Sequence, residues 1–265
     1  MKSFVRWGTT LGLVGSTLLA TVFSGNAPVL ALSEQQIKEK LDSVPVFLIT
    51  NPQGLPLSRP LQAQNGQKGG GSVTGVYMSH QEAESFINQL RNLKDKDPKM
   101  TELVKSLQVT AVPLGVIYQQ LKQTKSQPNH LEFAFKPLDK EMQAALQLLR
   151  ASGKQVQQFR SVPVFTVKFG ADKGYVSIKA GNQKQEIIPL FLSQQDAQGL
   201  LTQVKQKFPN AVMDVVDMDG VIKVFQEKND PWLNQVVLVP TQEDRDYIRK
   251  LPKNPATPAT PAPKK

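Results

Sequence analysis

The sequence has no cysteine and only two histidines, His80 and His130, in 265 residues. Without thiols there are no disulfides, thiolate metal sites, iron–sulfur ligands, cysteine nucleophiles or lipid-modified N-terminal cysteine. Two histidines far apart in sequence make a poor basis for a histidine metal cluster. A Gly-x-Ser-x-Gly nucleophile elbow is also missing. The apolar run from Leu11 to Phe23 spans about 13 residues, short of the ~20 that cross a bilayer as a helix. Together these absences remove much of the usual catalytic chemistry. The apolar content of 40% and charged content of 20% are ordinary for a globular chain, so wholesale disorder is excluded too.

What is present divides into four segments. Residues 1–31 read as an export signal: Lys2 and Arg6 precede the uncharged apolar run, and Val29-Leu30-Ala31 offers small residues to a signal peptidase. Cleavage is expected between Ala31 and Leu32, and a retained membrane anchor is the alternative. Export implies the periplasm, with the thylakoid lumen as a second destination. Residues 252–265 repeat proline with alanine and threonine, which reads as a semi-rigid, disordered tail. Its Lys253, Lys264 and Lys265 could touch an anionic membrane or cell wall; a solubilising spacer is the plainer reading. The net charge of +10 includes two charges in the leader and three in the tail, leaving +5 for residues 32–251. That mild excess gives no case for nucleic acid.

The remaining 220 residues carry an internal repeat. Val44-Pro45-Val46-Phe47 recurs as Val162-Pro163-Val164-Phe165. Val76-Tyr77-Met78-Ser79 recurs as Leu190-Phe191-Leu192-Ser193, Gly115-Val116-Ile117 as Gly220-Val221-Ile222, and Phe135-Lys136-Pro137 as Leu238-Val239-Pro240. The offset shrinks steadily, as it does when one copy of a domain-sized unit gains insertions. The expected domains are therefore 32–136 and 137–251. Each is expected to be α+β, a mainly antiparallel sheet covered by helices.

Local signals fill in the elements. Ser33 and Gln36 have capping-box spacing ahead of Ile37 and Leu41. Ser79 with Glu82, and Ser193 with Asp196, cap two helices whose apolar residues recur at matching i, i+3, i+4 and i+7 positions. Asp97-Pro98 opens a short extra helix, and Gly153 closes one that begins near Asp139. The VPVF segments read as strands, and their prolines suggest a strand start or a sheet edge. Further strands are expected at 112–119, 131–135, 212–216 and 221–225, with a last helix at 243–251.

Sites of chemistry are sparse. Asp214, Asp217 and Asp219 before Gly220 echo a calcium loop. Val215 breaks the ligand spacing, however, and Gln226 stands where a bidentate glutamate belongs, so a hairpin turn is expected. The glycine-rich stretch from Gly69 to Gly75 lacks a P-loop ending and reads as a loop. His80, at the start of a capped helix, and His130 are isolated candidate bases. Asp244 and Asp246 alternate with Arg245 and Arg249 as a solvated helix face would. No catalytic, cofactor or metal residues are assigned, and no client-binding residues are named.

The order of these motifs resembles the Tic-twenty-two (Tic22) family, which comprises intermembrane-space components of chloroplast protein import and their cyanobacterial relatives. The resemblance runs from Ser33 to Leu251. It implies a two-lobed fold with pseudo-twofold symmetry, no enzymatic activity and no cofactor. It also implies a chaperone-like role toward unfolded precursor or outer-membrane proteins and contact with the outer-membrane β-barrel assembly or translocation machinery. Two alternatives stand beside that expectation: an envelope-tethering protein using its basic tail, and an exported hydrolase built on His80 or His130.

Overall fold

The computed structural model describes residues 11–12, 32–60, 71–93, 97–125, 127, 131–159, 161–179 and 185–251. Most of the expected export signal with Ala31, the stretch from Gln64 to Gly70, His130 and the proline-rich tail lie outside the described residues. In chain order the elements are β1 (Leu11–Gly12), α1 (Glu34–Leu41), β2 (Pro45–Thr50), β3 (Ser58–Pro60) and β4 (Ser72–Tyr77). Then come α2 (His80–Asn92), α3 (Pro98–Ser106), β5 (Gln108–Pro113), α4 (Leu114–Thr124), β6 (Leu131–Lys136) and α5 (Asp139–Ala151). The second half follows with β7 (Pro163–Lys168), β8 (Ser177–Lys179), β9 (Glu186–Phe191), α6 (Gln194–Lys205) and β10 (Val212–Asp217). It ends with α7 (Met218–Glu227), a 3-10 turn (Pro231–Gln235), β11 (Val236–Val239) and α8 (Gln242–Lys250).

The fold is α+β, built on two sheets of the same design. One runs β3-β4-β2-β5, with β6 parallel to β4; the other runs β8-β9-β7-β10, with β11 parallel to β9 and β1 beside β8. All other pairings are antiparallel. The duplication seen in the sequence is thus a duplication of topology.

The VPVF strands are central, which corrects the expectation of an edge. β2 lies between β4 and β5, and β7 lies between β9 and β10. Pro45 and Pro163 are the first residue of their strands, a place where a missing N–H disturbs the ladder least. Phe47 and Phe165 are 0% exposed. Phe165 packs in a core with Val167, Phe191 and the inner stripe of α6, Ala197, Leu200, Leu201 and Val204.

Contacts divide the chain into two compact units. The Phe47 unit comprises Leu41–Asp139 and Gln242–Lys265; the Phe165 unit comprises Met1–Lys40 and Lys140–Thr241. The expected boundaries of 32–136 and 137–251 differ from these units chiefly at residues 32–40 and 242–251, and both place α5 with Phe165. The helix after each sheet belongs to the other sheet's unit: α5 follows β6 but packs under Phe165, and α8 follows β11 but packs against Phe47. Sequence adjacency loses to burial of the helices' apolar faces.

The caps form as their residue types dictate. Ser79 Oγ accepts from Glu82 N–H and Ser193 Oγ from Asp196 N–H, both at 3.4 Å. Ser33 N–H donates to Gln36 Oε1 while Ser33 Oγ accepts from Gln36 N–H, a reciprocal capping box. Asp97 Oδ1 accepts from Lys99 N–H at 2.6 Å ahead of α3. Gly153, at φ 81°, ends α5 and lets Lys154 N–H reach Leu149 O at 3.0 Å.

Two expected strands are helices. Residues 114–124 and 218–227 form α4 and α7. Asp217 is not in a hairpin turn; it is the N-cap of α7, with Oδ1 accepting from Gly220 N–H at 2.6 Å. Met218, Val221 and Phe225 then bury one face at helical spacing. A Cβ on Gly220 would sit 3.1 Å from that capping oxygen, so glycine suits the close approach.

Replacing Phe165 with alanine would empty the centre of its core. A loss of about 3–5 kcal/mol is expected, read as a lowered urea midpoint, with Ser193→Ala costing about 1 kcal/mol by loss of the cap.

Candidate functional site

Among the described residues, one apolar cleft lies wholly within the Phe165 unit. β7, β9 and β10 supply one wall through Thr166, Leu190 and Val216; α7 supplies another through Val221, Val224 and Phe225. The end of α5 and the segment after it add Leu149, Val156 and Phe159, and Tyr175 and Trp232 stand together with ring centroids 5.3 Å apart. The cavity holds about 460 Å³, within the usual range for a small-molecule or side-chain pocket. Strand alternation explains its place: Phe165 and Val167 point to the α6 core, and Thr166 points to the opposite face.

Asp217 is the one acid of the sequence motif in the cavity lining, and Asp214 and Asp219 lie outside it. Asp217 caps α7. Asp214 pairs with Lys168 at 3.4 Å, and Asp219 accepts from Ser161 Oγ at 2.8 Å. The three acids of the sequence motif therefore serve three separate partners. Among the described residues no group of three or more His, Asp or Glu side chains could hold a metal. Such a lining can bury apolar side chains; it offers no paired nucleophile and base.

Sequence-predicted candidates fall elsewhere. Leu32 precedes α1. Ser72 to Tyr77, following the glycines, form strand β4 rather than a loop. His80 is the first residue of α2, stacked on Tyr247 at 4.1 Å, edge-on to Phe47 at 5.6 Å and 3.7 Å from Glu84. It is a packing group of the α8 contact. Asp246 is half-buried and pairs with Arg249 at 3.0 Å, but Asp244 is 2% exposed, which corrects the expectation of a solvated face there.

Asp244 has a counterpart. Counting from Pro137 and Pro240, Glu141 occupies the matching position on α5 and is 5% exposed. Glu141 Oε2 accepts from Gln194 N–H at 2.8 Å, placing a carboxylate on the first turn of α6. At the equivalent end of α2, Ser79 Oγ donates to Glu243 Oε1 at 3.4 Å, and Asp139 N–H donates to Glu82 Oε1 at 3.5 Å. Burial raises the pKa of Glu141, opposed by the Gln194 N–H and Lys140 and reinforced by Asp196. Burial also raises that of Glu82, opposed by the Asp139 N–H and Lys136, with Asp139 and Glu243 adding repulsion.

The pattern of the Tic22-like family matches residues 13–250. The chain belongs to the Tic22-like family. The solved structure of Anabaena Tic22 (protein transport) is 67% identical, with a TM-score of 0.81, matched over 84% of this chain and 100% of that one. Tic22 from Plasmodium falciparum is 21% identical, with a TM-score of 0.59 over 81% of this chain and 96% of that one, a likeness of fold. No curated protein matches the sequence. In this Tic22-like chain neither the cleft nor the buried acids was assigned from sequence. The signal available for the acids was their shared distance from Pro137 and Pro240.

The acids set a pH dependence. A carboxyl whose folded pKa is raised stabilises the fold below its unfolded pKa, and that contribution is lost as pH rises through the folded value. Glu141→Gln keeps an acceptor for Gln194 and removes the titration. The urea midpoint of the variant is expected to fall less than that of the wild type between about pH 4 and pH 8. An unchanged slope would show that Glu141 does not titrate in this way.

Proposed function

We propose that this Tic22-like protein is an exported, non-enzymatic, chaperone-like factor that assists precursor or outer-membrane proteins across the periplasm. The observation that carries this reading is the cleft between α7 and the β7 sheet, lined by aliphatic and aromatic side chains and lacking a nucleophile–base pair. Burial of apolar groups is non-directional and tolerates varied sequences, which suits a protein that must hold many unfolded clients. The protein-transport designation of the Anabaena relative supports the same role. The basic leader and its small-residue cleavage site at Ala31 support the periplasmic assignment.

The test is aggregation of an unfolded β-barrel protein, followed by light scattering without nucleotide. The protein is expected to suppress aggregation in a concentration-dependent way. Val224→Trp, which fills the cleft, is expected to weaken suppression severalfold while the circular dichroism spectrum stays native. Equal scattering with and without protein at every ratio would defeat the reading. Recovery in the cytoplasmic fraction after osmotic shock would defeat its periplasmic part.

A further inference from the structure

The two copies of the fold differ at one edge. β6 and β11 are counterparts, β6 parallel to β4 and β11 parallel to β9. Met78 N–H donates to Lys136 O at 3.1 Å, and Leu192 N–H donates to Val239 O at 2.9 Å. These bonds fix the phase of each ladder. Lys136, Ala134 and Glu132 turn their main-chain groups inward to β4, so those of Leu131, Phe133 and Phe135 turn outward. In β11, Val239 and Val237 face β9, so Val236 and Leu238 face outward.

The outward edge of β11 is closed. Lys40 of α1 donates through Nζ to Val236 O at 3.0 Å and to Asn234 O at 3.1 Å, and its cation lies 6.0 Å from the Phe225 ring centroid. Val236 and Leu238 are each 1% exposed. The matching residues of β6 are Phe133, which is half-buried, and Phe135, which is 36% exposed; Glu132, Ala134 and Lys136 are exposed as well. Among the described residues, no hydrogen bond closes the outward main-chain groups of Leu131, Phe133 and Phe135.

The usual protections of an edge are also sparse here. The strand reads LEFAFK, without proline or bulge, and pairs with β4 along all six residues. Its one lysine, Lys136, is neutralised by Asp139 at 2.9 Å. A row of N–H and C=O groups at strand spacing has one complementary occupant, another extended backbone. Main-chain pairing reads no side chains, so it accepts clients of any sequence, and client strands with alternating apolar residues would match the period-2 faces of β6.

We propose that the outer edge of β6 captures an extended segment of a translocating polypeptide as an added β-strand. This rests on the polypeptide-handling role above and adds a site and a binding mode to it.

The test uses the full chain and a fluorescein-labelled peptide of alternating valine and threonine, with binding read by anisotropy. Phe135→Pro removes one outward N–H and spares the inward ladder to β4. It is expected to weaken binding about tenfold, while Phe135→Ala, which keeps the N–H, costs about threefold or less. Circular dichroism and melting temperature check that each variant folds. Independently of any variant, the same peptide methylated on alternate amide nitrogens is expected not to bind. Equal binding of the methylated peptide, or equal losses in Phe135→Pro and Phe135→Ala, would overturn the proposal. So would peptide binding abolished by Val224→Trp and untouched by Phe135→Pro, or a β6 edge occupied by self-association that Phe135→Pro disperses. Suppressed aggregation without edge binding removes this inference alone. Edge binding without suppressed aggregation removes the chaperone reading and leaves the site.

Discussion

The central strand of each sheet constrains everything around it. Phe165 faces Val215 across one side of β7 and Phe191 across the other, and Phe47 is flanked in the same way by Ala111 and Tyr77. A strand paired on both sides turns its side chains to two faces that each need cover. In the Phe165 unit α6 and α5 fill one face with small and aliphatic residues. On the other face α7 stands over Thr166 and Leu190 and leaves the cleft. The cleft is thus a consequence of central burial on one side and of the strand-to-helix turn at Asp217 on the other.

Closing the first face uses α5, the helix that directly precedes β7. α5 and α8 each carry a buried acid a few residues after a proline, and α5 sets its Glu141 on the exposed amide of Gln194 at the start of α6. The N-terminus of a helix has unpaired N–H groups and a partial positive charge, so a carboxylate there is favourable. Burial works against that charge, which is why the Glu141 pKa rises even though the acceptor is well used. The same contact therefore joins distant parts of the chain and makes their joining sensitive to protonation.

Much of this was legible in the sequence, and the errors have physical causes. Caps were readable because they depend on three or four neighbouring residues: Ser33, Ser79, Asp97, Ser193 and Gly153 all act where their spacing places them. Val221 to Phe225 was misread because its β-branched residues suit a strand, whereas Asp217, Met218, Val221 and Phe225 together carry a cap and a helical stripe. β11 is signalled only by the match of Leu238-Val239-Pro240 to Phe135-Lys136-Pro137 at the end of β6. The central position of the VPVF strands was hidden because proline forbids a ladder donor at one residue and leaves the rest of the strand free to pair on both sides. The placement of α8 in the Phe47 unit was not legible, since sequence order sets it beside β11.

Duplication supplies a comparison within one molecule. Both copies keep the central strand, the serine-capped helix and the buried acid, so those features are what the fold itself requires. The copies part where the fold requires nothing further. α1 has one copy ahead of β2, and its Lys40 is spent on the edge of β11, where burial lowers its pKa and desolvates the carbonyls it holds. The segment ahead of β7 is α5, which is already committed to α6. No second lysine is therefore delivered to the edge of β6 by the repeat. An open strand edge is prone to pair with other chains; Lys40 of α1 removes that exposure along β11. The edge of β6 lies on a surface of mixed charge and modest apolarity, which limits uncontrolled association and still leaves a ladder for an extended chain to join.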